Sequence, residues 1–230
     1  MYKNIKLLNS KEDTQLKVTP LNGFEYAKGK GQVAITLDEF FLASKSQPIV
    51  FTKSKDGEYF ASVLLGLEQD KNSFVMKNGT WEKSEYIPTY VRRYPFIFVK
   101  NNNNLAVAYD SDCKNINTKE GEAFFDEEGK SSEYLTNVIK FMDNFQNNSL
   151  MTASFIKELD ELNLLEDANA TMEVKGKKFA FTGFKRVDEK KLDALDDEKL
   201  LKLIKSGSYK FIMAHLISLG NFEKLISLQK

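Results

Sequence analysis

The chain has 230 residues, of which 42% are apolar and 12% aromatic, so it can bury a sizeable core. Its 33 basic and 33 acidic side chains cancel to a formal net charge of zero. A nucleic-acid-binding protein usually carries a marked basic excess, and attraction to anionic lipid requires basic clusters. The composition therefore predicts that the protein binds no nucleic acid and has no general attraction to membranes.

The apolar runs are too short to cross a membrane. The longest, residues 211–219, also contains His215, whereas a spanning helix needs about 20 apolar residues. Residues 1–10 lack the apolar core and small-residue cleavage site of a secretory signal. A single cysteine, Cys113, excludes an internal disulfide. These features predict a soluble cytoplasmic protein, with export by a route that leaves no cleaved N-terminal signal as the alternative.

The first half of the chain carries strand and turn patterns. One helix is predicted over residues 37–46. Three pairs of β-rich runs then flank turn-forming sequences: residues 48–53 with 58–67, 73–76 with 80–81, and 96–100 with 105–109. Asp-Gly and Asn-Gly favour tight hairpins because both residues tolerate positive φ. The pattern predicts an antiparallel sheet with a helix packed on it.

After Gly129 the apolar residues follow a helical period. A helix is predicted from Ser131 or Ser132 to residue 147, and a second over residues 152–164. A short hairpin is predicted over residues 170–184, before a compact set of C-terminal helices.

The C-terminal helices have clear start and stop signals. Asp188 and Asp196 are expected to cap helix N-termini, and Gly207 and Gly220 are expected to be left-handed stops. The predicted fold is α+β, with an antiparallel β-rich N-terminal half with hairpins followed by a mostly helical C-terminal half. One domain over residues 1–230 is predicted, with two packed sub-lobes, 1–129 and 130–230, as the alternative.

The most informative part of the sequence is residues 86–96, YIPTYVRRYPF, which we call the 86–96 segment. Pro88 favours the first turn of a helix and Pro95 disfavours its continuation, so a short helix leading into a strand is predicted. Adjacent residues of a helix diverge by about 100°. Arg92 and Arg93 should therefore differ in role, one pairing with a carboxylate of the acidic residues 110–128 and the other facing outward.

Two interpretations of this segment remain open: a structural tether, or a recognition site for an anion or a protein partner. Arg and Tyr are enriched among residues that dominate binding energies. The candidate binding residues are Tyr86, Tyr90, Arg92, Arg93 and Tyr94.

No set of residues predicts a reaction, a metal or a cofactor. The acidic residues 110–128 begin as Asp-x-Asp, but Lys114 and Asn115 occupy positions where a calcium loop needs an oxygen ligand and a glycine. His215 lies in an almost wholly apolar helix and is expected to be buried, without a catalytic contact to Cys113. Residues 29–31, Gly-Lys-Gly, lack the rest of a phosphate-binding loop.

Several segments, in order, give the chain a resemblance to the SapC-like family of bacterial proteins. They are residues 22–27 (NGFEYA), 48–51 (PIVF), 64–67 (LLGL), 86–96 (YIPTYVRRYPF), 121–122 (GE), 125–129 (FDEEG) and 215–221 (HLISLGN). The resemblance implies an association with the surface-layer system of Gram-negative bacteria, and it supplies no catalytic residues. At Gln47 the family pattern leads us to expect an aromatic residue.

The leading hypothesis is a soluble, non-enzymatic accessory protein that binds another protein, in surface-layer assembly or export. The partner and the oligomeric state are left open. The alternative is an enzyme or small-molecule binder that holds an anionic ligand in an arginine-lined pocket.

Overall fold

The structure is a computed structural model that describes residues 1–54, 56–101, 104–174 and 176–228. Strands predominate in the first half of the described chain, with two short helices between them, and helices dominate the last quarter. They are β1 (Ile5–Leu7), β2 (Lys17–Val18), β3 (Gln32–Ala34), α1 (Phe40–Ala43), β4 (Ile49–Lys53), β5 (Tyr59–Leu64), α2 (Thr89–Arg92), β6 (Phe96–Asn101), β7 (Asn104–Asp110), β8 (Ile116–Asn117), β9 (Glu122–Ala123), α3 (Glu133–Glu161), β10 (Leu165–Val174), β11 (Lys177–Val187), α4 (Glu189–Asp193), α5 (Asp197–Ser206), α6 (Ser208–Ser218) and α7 (Phe222–Ser227).

The largest sheet has five antiparallel strands in the order β10-β11-β4-β5-β3. The predicted hairpin of β4 and β5 is confirmed, with Phe51 opposite Ala61. The predicted C-terminal hairpin is longer than expected, and β11 pairs with β4 through Phe184 and Thr52. Residues from both halves of the sequence therefore share one sheet.

A second sheet, in the order β1-β7-β6, contains the other long predicted hairpin, β6 with β7. The residues that connect these two strands, 102 and 103, lie outside the described residues. The hairpin predicted around residues 73–81 is reduced to one bridge between Val75 and Trp81, with Gly79 at φ 84° in the turn. A third small sheet has the order β8-β2-β9.

The prediction of two helices over residues 131–164 is wrong, because α3 is one helix of 29 residues. Its N-cap is Ser132, one of the two residues predicted to start the helix, and the Ser132 hydroxyl accepts the Leu135 N–H at 3.1 Å. Ser149 and Thr152 lie where the break was expected. Their hydroxyls donate to backbone carbonyls four residues earlier, so they are satisfied inside a continuous helix.

The capping predictions at the C-terminus hold with one exception. Asp188 and Asp196 accept backbone N–H groups at the starts of α4 and α5, and Gly207 has φ 82°. Gly220, in contrast, lies in a short 3-10 turn, Leu219–Asn221, and has no left-handed conformation. The Asn221 side chain donates to the Ser44 carbonyl at 2.7 Å, and this tertiary contact holds the turn.

The predicted α+β fold is confirmed, with 35% helix and 27% strand. Two hydrophobic clusters share α3. Its C-terminal half contributes Phe155 and Leu159 to the main core around the five-stranded sheet. Its N-terminal half contributes Leu135 and Met142 to a smaller core under the β1-β7-β6 sheet. The 86–96 segment lies between these clusters, because Val91 packs in the first and Phe96 in the second.

Candidate functional site

The 86–96 segment forms a short helix followed by a strand, as predicted. Pro88 precedes α2, which ends at Arg92, and β6 begins at Phe96. The start of the segment is fixed by its neighbours, since Gln47 Nε2 donates to the Tyr86 carbonyl at 2.7 Å and Ser46 Oγ accepts the Tyr86 N–H at 3.2 Å. Gln47 is fully buried. It stands where an aromatic residue was expected, and it anchors the segment through a hydrogen bond.

A buried carboxylate lies beneath the first half of the segment. Glu39 is only 2% exposed. One of its oxygens accepts the Tyr86 hydroxyl at 2.9 Å and the Thr89 N–H at 2.7 Å, and the other accepts the Thr36 N–H at 3.0 Å. Three neutral donors thus stabilise a charge that burial would otherwise penalise.

A second buried carboxylate lies beneath the end of the segment. Asp110 is 1% exposed and accepts the Tyr94 hydroxyl at 3.1 Å. It also accepts the backbone N–H groups of Lys3 and Asn4 at 3.1 and 2.9 Å. Burial alone would raise the pKa of Asp110, but these hydrogen bonds outweigh burial and hold the pKa below its usual value of 3.8.

The tyrosines at the two ends of the segment therefore act as neutral donors to buried carboxylates. Burial, reinforced by Glu39, raises the pKa of Tyr86 to about 12. Burial, followed by the nearby Cys113 and Asp110, raises the pKa of Tyr94 above its usual range. The Tyr94 ring also stacks on Tyr26 with centroids 4.1 Å apart and an interplanar angle of 14°.

Arg93 lies among aromatic rings. The centre of its guanidinium is 4.1 Å from the Tyr90 ring centroid, 5.1 Å from that of Phe145 and 5.9 Å from that of Tyr2. Its Nε is buried and has no hydrogen-bond partner in the described part of the chain. The rings attract the cation through their negative faces, and Tyr90 contributes the closest of them.

Arg92 is exposed, and its guanidinium makes different contacts from that of Arg93. Its Nε donates to the Ile87 carbonyl at 3.1 Å, and its Nη2 donates to Thr89 Oγ1 at 2.7 Å and to the Tyr86 hydroxyl at 3.4 Å. Its Nη1 makes no hydrogen bond to any residue that the structure describes. Since a guanidinium has five N–H donors, Arg92 keeps donors available for another group.

The prediction that one of the two arginines pairs with a carboxylate of residues 110–128 is wrong. Across residues 1–54, 56–101, 104–174 and 176–228, neither Arg92 nor Arg93 lies within 4.0 Å of a carboxylate oxygen. Asp110, from the acidic residues expected to pair with one of the two arginines, is satisfied by neutral donors instead. Arg186, the third arginine of the chain, does form an ion pair, with Glu166 at 2.8 Å. The adjacent arginines are thus two cations held without an anion.

Both arginines line a cavity of about 220 Å³ between the segment and α3. The side of the cavity formed by α3 is mostly apolar. The lining residues of α3 are Tyr134, Asn137, Val138, Phe141 and Met142. The site thus combines uncompensated positive charge with an apolar wall, an arrangement that suits a ligand with an anionic end and an apolar body.

Sequence reasoning missed Glu39 and the contribution of α3. Glu39 was included in a predicted helix without a role, and only its position under Tyr86 reveals one. Phe141 and Phe145 lie in the helix predicted to end at residue 147, but the sequence did not indicate that they would face arginines. The guanidinium centre of Arg92 is 5.7 Å from the Phe141 ring centroid.

Neither His215 nor Cys113 lines the cavity beside the arginines. His215 is fully buried, and its Nε2 accepts the Val187 N–H at 3.1 Å. Burial lowers the pKa of His215 to about 3, so the ring is neutral. Cys113 lies near Tyr94, beside a cavity of about 510 Å³ that both residues line. No group of His, Cys, Asp and Glu residues in the described ranges has an arrangement that would hold a metal ion.

The chain belongs to the SapC family, because a sequence profile of that family, SapC, matches residues 8–225. No curated protein matches the chain at a significant level. No solved structure matches it either. Within the described residues, every helix is too short or too polar to traverse a lipid bilayer.

Proposed function

We propose that this SapC-family chain is a non-enzymatic accessory protein that binds a protein partner in surface-layer assembly or export. Its recognition site consists of Arg92 and Arg93, with Tyr90 supporting Arg93. The association with the surface layer rests on the family alone. The observation that carries the binding proposal is that Arg92 and Arg93 both line one cavity and neither has a carboxylate partner within the described residues.

The energetics of the two arginines support a recognition role. A partly buried cation loses hydration, and an ion pair is the usual compensation. Aromatic rings supply part of that compensation for Arg93, but they accept none of its N–H groups as strongly as a carboxylate would. An anionic group from a partner would complete the site. Arg is also among the residue types most enriched at binding hot spots.

The proposal divides the candidate residues by role. Tyr86 and Tyr94 hold the segment to Glu39 and Asp110, whereas Arg92 and Arg93 contact the partner. The protein acts in the cytoplasm under this proposal, or at the cell surface after export without a cleaved N-terminal signal. Fractionation of cells expressing the intact chain, followed by immunodetection, separates these locations.

The test is native co-purification with mass spectrometry from cell and surface fractions. The intact chain is compared with Arg92→Ala, with the Arg92→Ala and Arg93→Ala double variant, and with Arg186→Ala. Arg186 is the matched control, since it is an exposed arginine far along the sequence whose charge is already paired. We expect one partner to be retained by the intact chain and by Arg186→Ala, and lost from the other two variants.

Two results would contradict the proposal. One is a partner that both arginine variants retain at the level of the intact chain. The other is a double variant that has lost its folded circular dichroism spectrum, together with an Arg92→Ala variant that folds and binds normally. In that second case the arginines would serve the fold alone.

The second candidate function is binding of a small anionic ligand, and the cavity beside the arginines favours it. A thermal-shift screen of phosphates, sugar acids and 2-oxo acids tests it. A ligand at a hundred times its dissociation constant stabilises the fold by about 2.7 kcal/mol, which is readily measured. A shift that Arg92→Ala abolishes and Arg186→Ala preserves would support this candidate, and no shift across the panel would reject it.

A further inference from the structure

Strand β6 lies at the edge of its sheet, and some of its backbone N–H and carbonyl groups have no hydrogen-bond partner among the described residues. The β1-β7-β6 order leaves one edge of β6 without a neighbouring strand in the described chain. The Asp110 N–H donates to the Pro95 carbonyl at 3.0 Å. Since antiparallel pairs alternate, Ile97 and Val99 also direct their backbone groups towards β7, while the residues between them point outward.

Among the described residues, the backbone N–H and carbonyl groups on the outer edge of β6 form hydrogen bonds only at Phe96, the first residue of the strand. Phe96 donates its N–H to the Arg93 carbonyl at 2.8 Å, and its carbonyl accepts the Tyr2 hydroxyl at 2.7 Å. Phe98 and Lys100 have no hydrogen-bond partner for their outward groups among the residues described. An added strand could therefore pair with Phe98 and Lys100 but not beyond them towards α2.

The unpaired edge of β6 ends close to Arg92 and Arg93. A strand that pairs with β6 has to stop near Phe96, where α2 precedes β6 and where Arg92 and Arg93 line the cavity. A chain running antiparallel to β6 would arrive there with its C-terminal end. The terminal carboxylate of such a chain is an anion that complements two guanidinium groups, and its last side chain would enter the cavity.

The cavity suits an apolar final side chain. Its volume is about 220 Å³, and Val138, Phe141 and Met142 form much of its α3 wall. Guanidinium groups bind carboxylates through parallel N–H donors, and Nη1 of Arg92 has no partner within the described residues. Strand addition supplies affinity through main-chain hydrogen bonds and leaves specificity to such pockets.

We propose that the groove between β6 and α3 binds the C-terminal end of an extended peptide. The peptide runs antiparallel to β6 and pairs with Phe98 and Lys100. Its terminal carboxylate contacts Arg92 and Arg93, and its last side chain is apolar and fills the cavity. This inference rests on the proposed function and gives the class of partner that its recognition site accepts: a protein with an exposed, apolar C-terminus.

The experiment uses the full chain and two synthetic arrays of random hexapeptides. One array has free C-terminal carboxylates, and the other has the same sequences with amidated ends. We expect binding to peptides with a free carboxylate and an aliphatic last residue. Amidation should weaken the best of them by about tenfold or more, because a charge-assisted contact is removed.

Variants and exchange measurements locate the peptide. Arg92→Gln should weaken binding by about tenfold, Arg92→Lys should weaken it less, and Arg186→Gln should leave it unchanged. Arg92 is exposed, so these variants test binding with the fold retained. Hydrogen exchange followed by NMR should show slower exchange of the Phe98 and Lys100 N–H groups when the best peptide is bound.

Several outcomes would overturn the inference. Equal binding of amidated peptides, or selection of an internal acidic residue in place of the terminal carboxylate, would reject capture of a C-terminus. Unchanged exchange at Phe98 would reject strand addition. If neither array binds while the Arg92-dependent partner is still captured from cells, this inference fails and the proposed function stands. If that partner is also retained by Arg92→Ala, both fail.

Discussion

The inner and outer faces of the 86–96 segment hold charges of opposite sign, and different kinds of contact stabilise the charges on each face. The inner face rests on two anions, Glu39 and Asp110, and each accepts at least three hydrogen bonds from neutral donors. The outer face carries two cations, Arg92 and Arg93, which lie against rings and a few neutral acceptors. The opposite charges of the two faces form no ion pair with each other.

The difference separates structure from recognition within one short segment. The carboxylates are nearly inaccessible and their acceptor capacity is well used, so their loss should damage the fold. The guanidinium groups keep unused donors and line a cavity, so their loss should cost the fold less and binding more. A buried polar group that has its hydrogen-bond partners stabilises the fold. A buried polar group without partners calls for an explanation, such as a functional role.

The largest expected effect comes from Glu39→Ala. This change leaves the Tyr86 hydroxyl and the Thr89 and Thr36 N–H groups without their acceptor. Each buried donor that loses a charged partner costs about 1.5–3 kcal/mol, and we expect the free energy of unfolding to fall by at least about 3 kcal/mol. Urea denaturation followed by circular dichroism measures it.

The matched control is Glu25→Ala, which removes an exposed carboxylate that, among the described residues, forms an ion pair only with Lys28. Its effect should stay within about 0.5 kcal/mol. Equal losses for Glu25→Ala and Glu39→Ala would show that the inner face is not what holds the segment.

The second effect concerns acid stability and Asp110. Its pKa in the folded state lies below the usual 3.8, so its carboxylate stabilises the fold above that value. The contribution disappears as the pH falls through the folded-state pKa. Asp110→Asn should lower the free energy of unfolding at neutral pH. It should also make that free energy decline less steeply as the pH falls below 3.8, the usual pKa of an aspartate. Urea titrations at a series of acidic pH values test this, and a slope identical to that of the unmodified chain would count against it.

The third effect is that of Arg93→Ala. Removing the cation from between the Tyr90 and Phe145 rings should cost about 1 kcal/mol of stability, partly offset because the buried Nε is removed as well. Arg93→Lys keeps the charge and should recover part of the loss. A loss as large as that of Glu39→Ala, measured by the same denaturation, would place Arg93 with the structural inner face.

The smallest expected effect on stability is that of Arg92→Ala. Its side chain is exposed, and its hydrogen bonds form on the surface, so we expect a change of about 0.5 kcal/mol or less. Arg186→Ala, which breaks an exposed ion pair, should be similar. A loss of more than about 1.5 kcal/mol for Arg92→Ala alone would remove the distinction between the two faces.

The sequence predicted the parts of the site that depend on local rules. Pro88 and Pro95 bound a short helix that leads into a strand, and the adjacency of Arg92 and Arg93 required them to diverge. Which arginine is exposed could not be predicted, because that depends on where α3 and the N-terminal residues pack. The expected pairing with residues 110–128 failed because Asp110 is already satisfied by backbone N–H groups, a contact that leaves no sequence signature.

The sequence by itself determined the α+β class, the pairing of β4 with β5 and of β6 with β7, the N-caps and the position of the aromatic and arginine-rich segment. Each of these depends on side chains within a few residues of one another, through turn geometry, capping and periodicity. Only the tertiary structure decided that α3 is continuous, that β11 joins β4, and that Glu39 and Asp110 lie under the segment while the arginines face a cavity. These features join residues far apart in the chain, and their energies depend on burial, which local sequence does not specify.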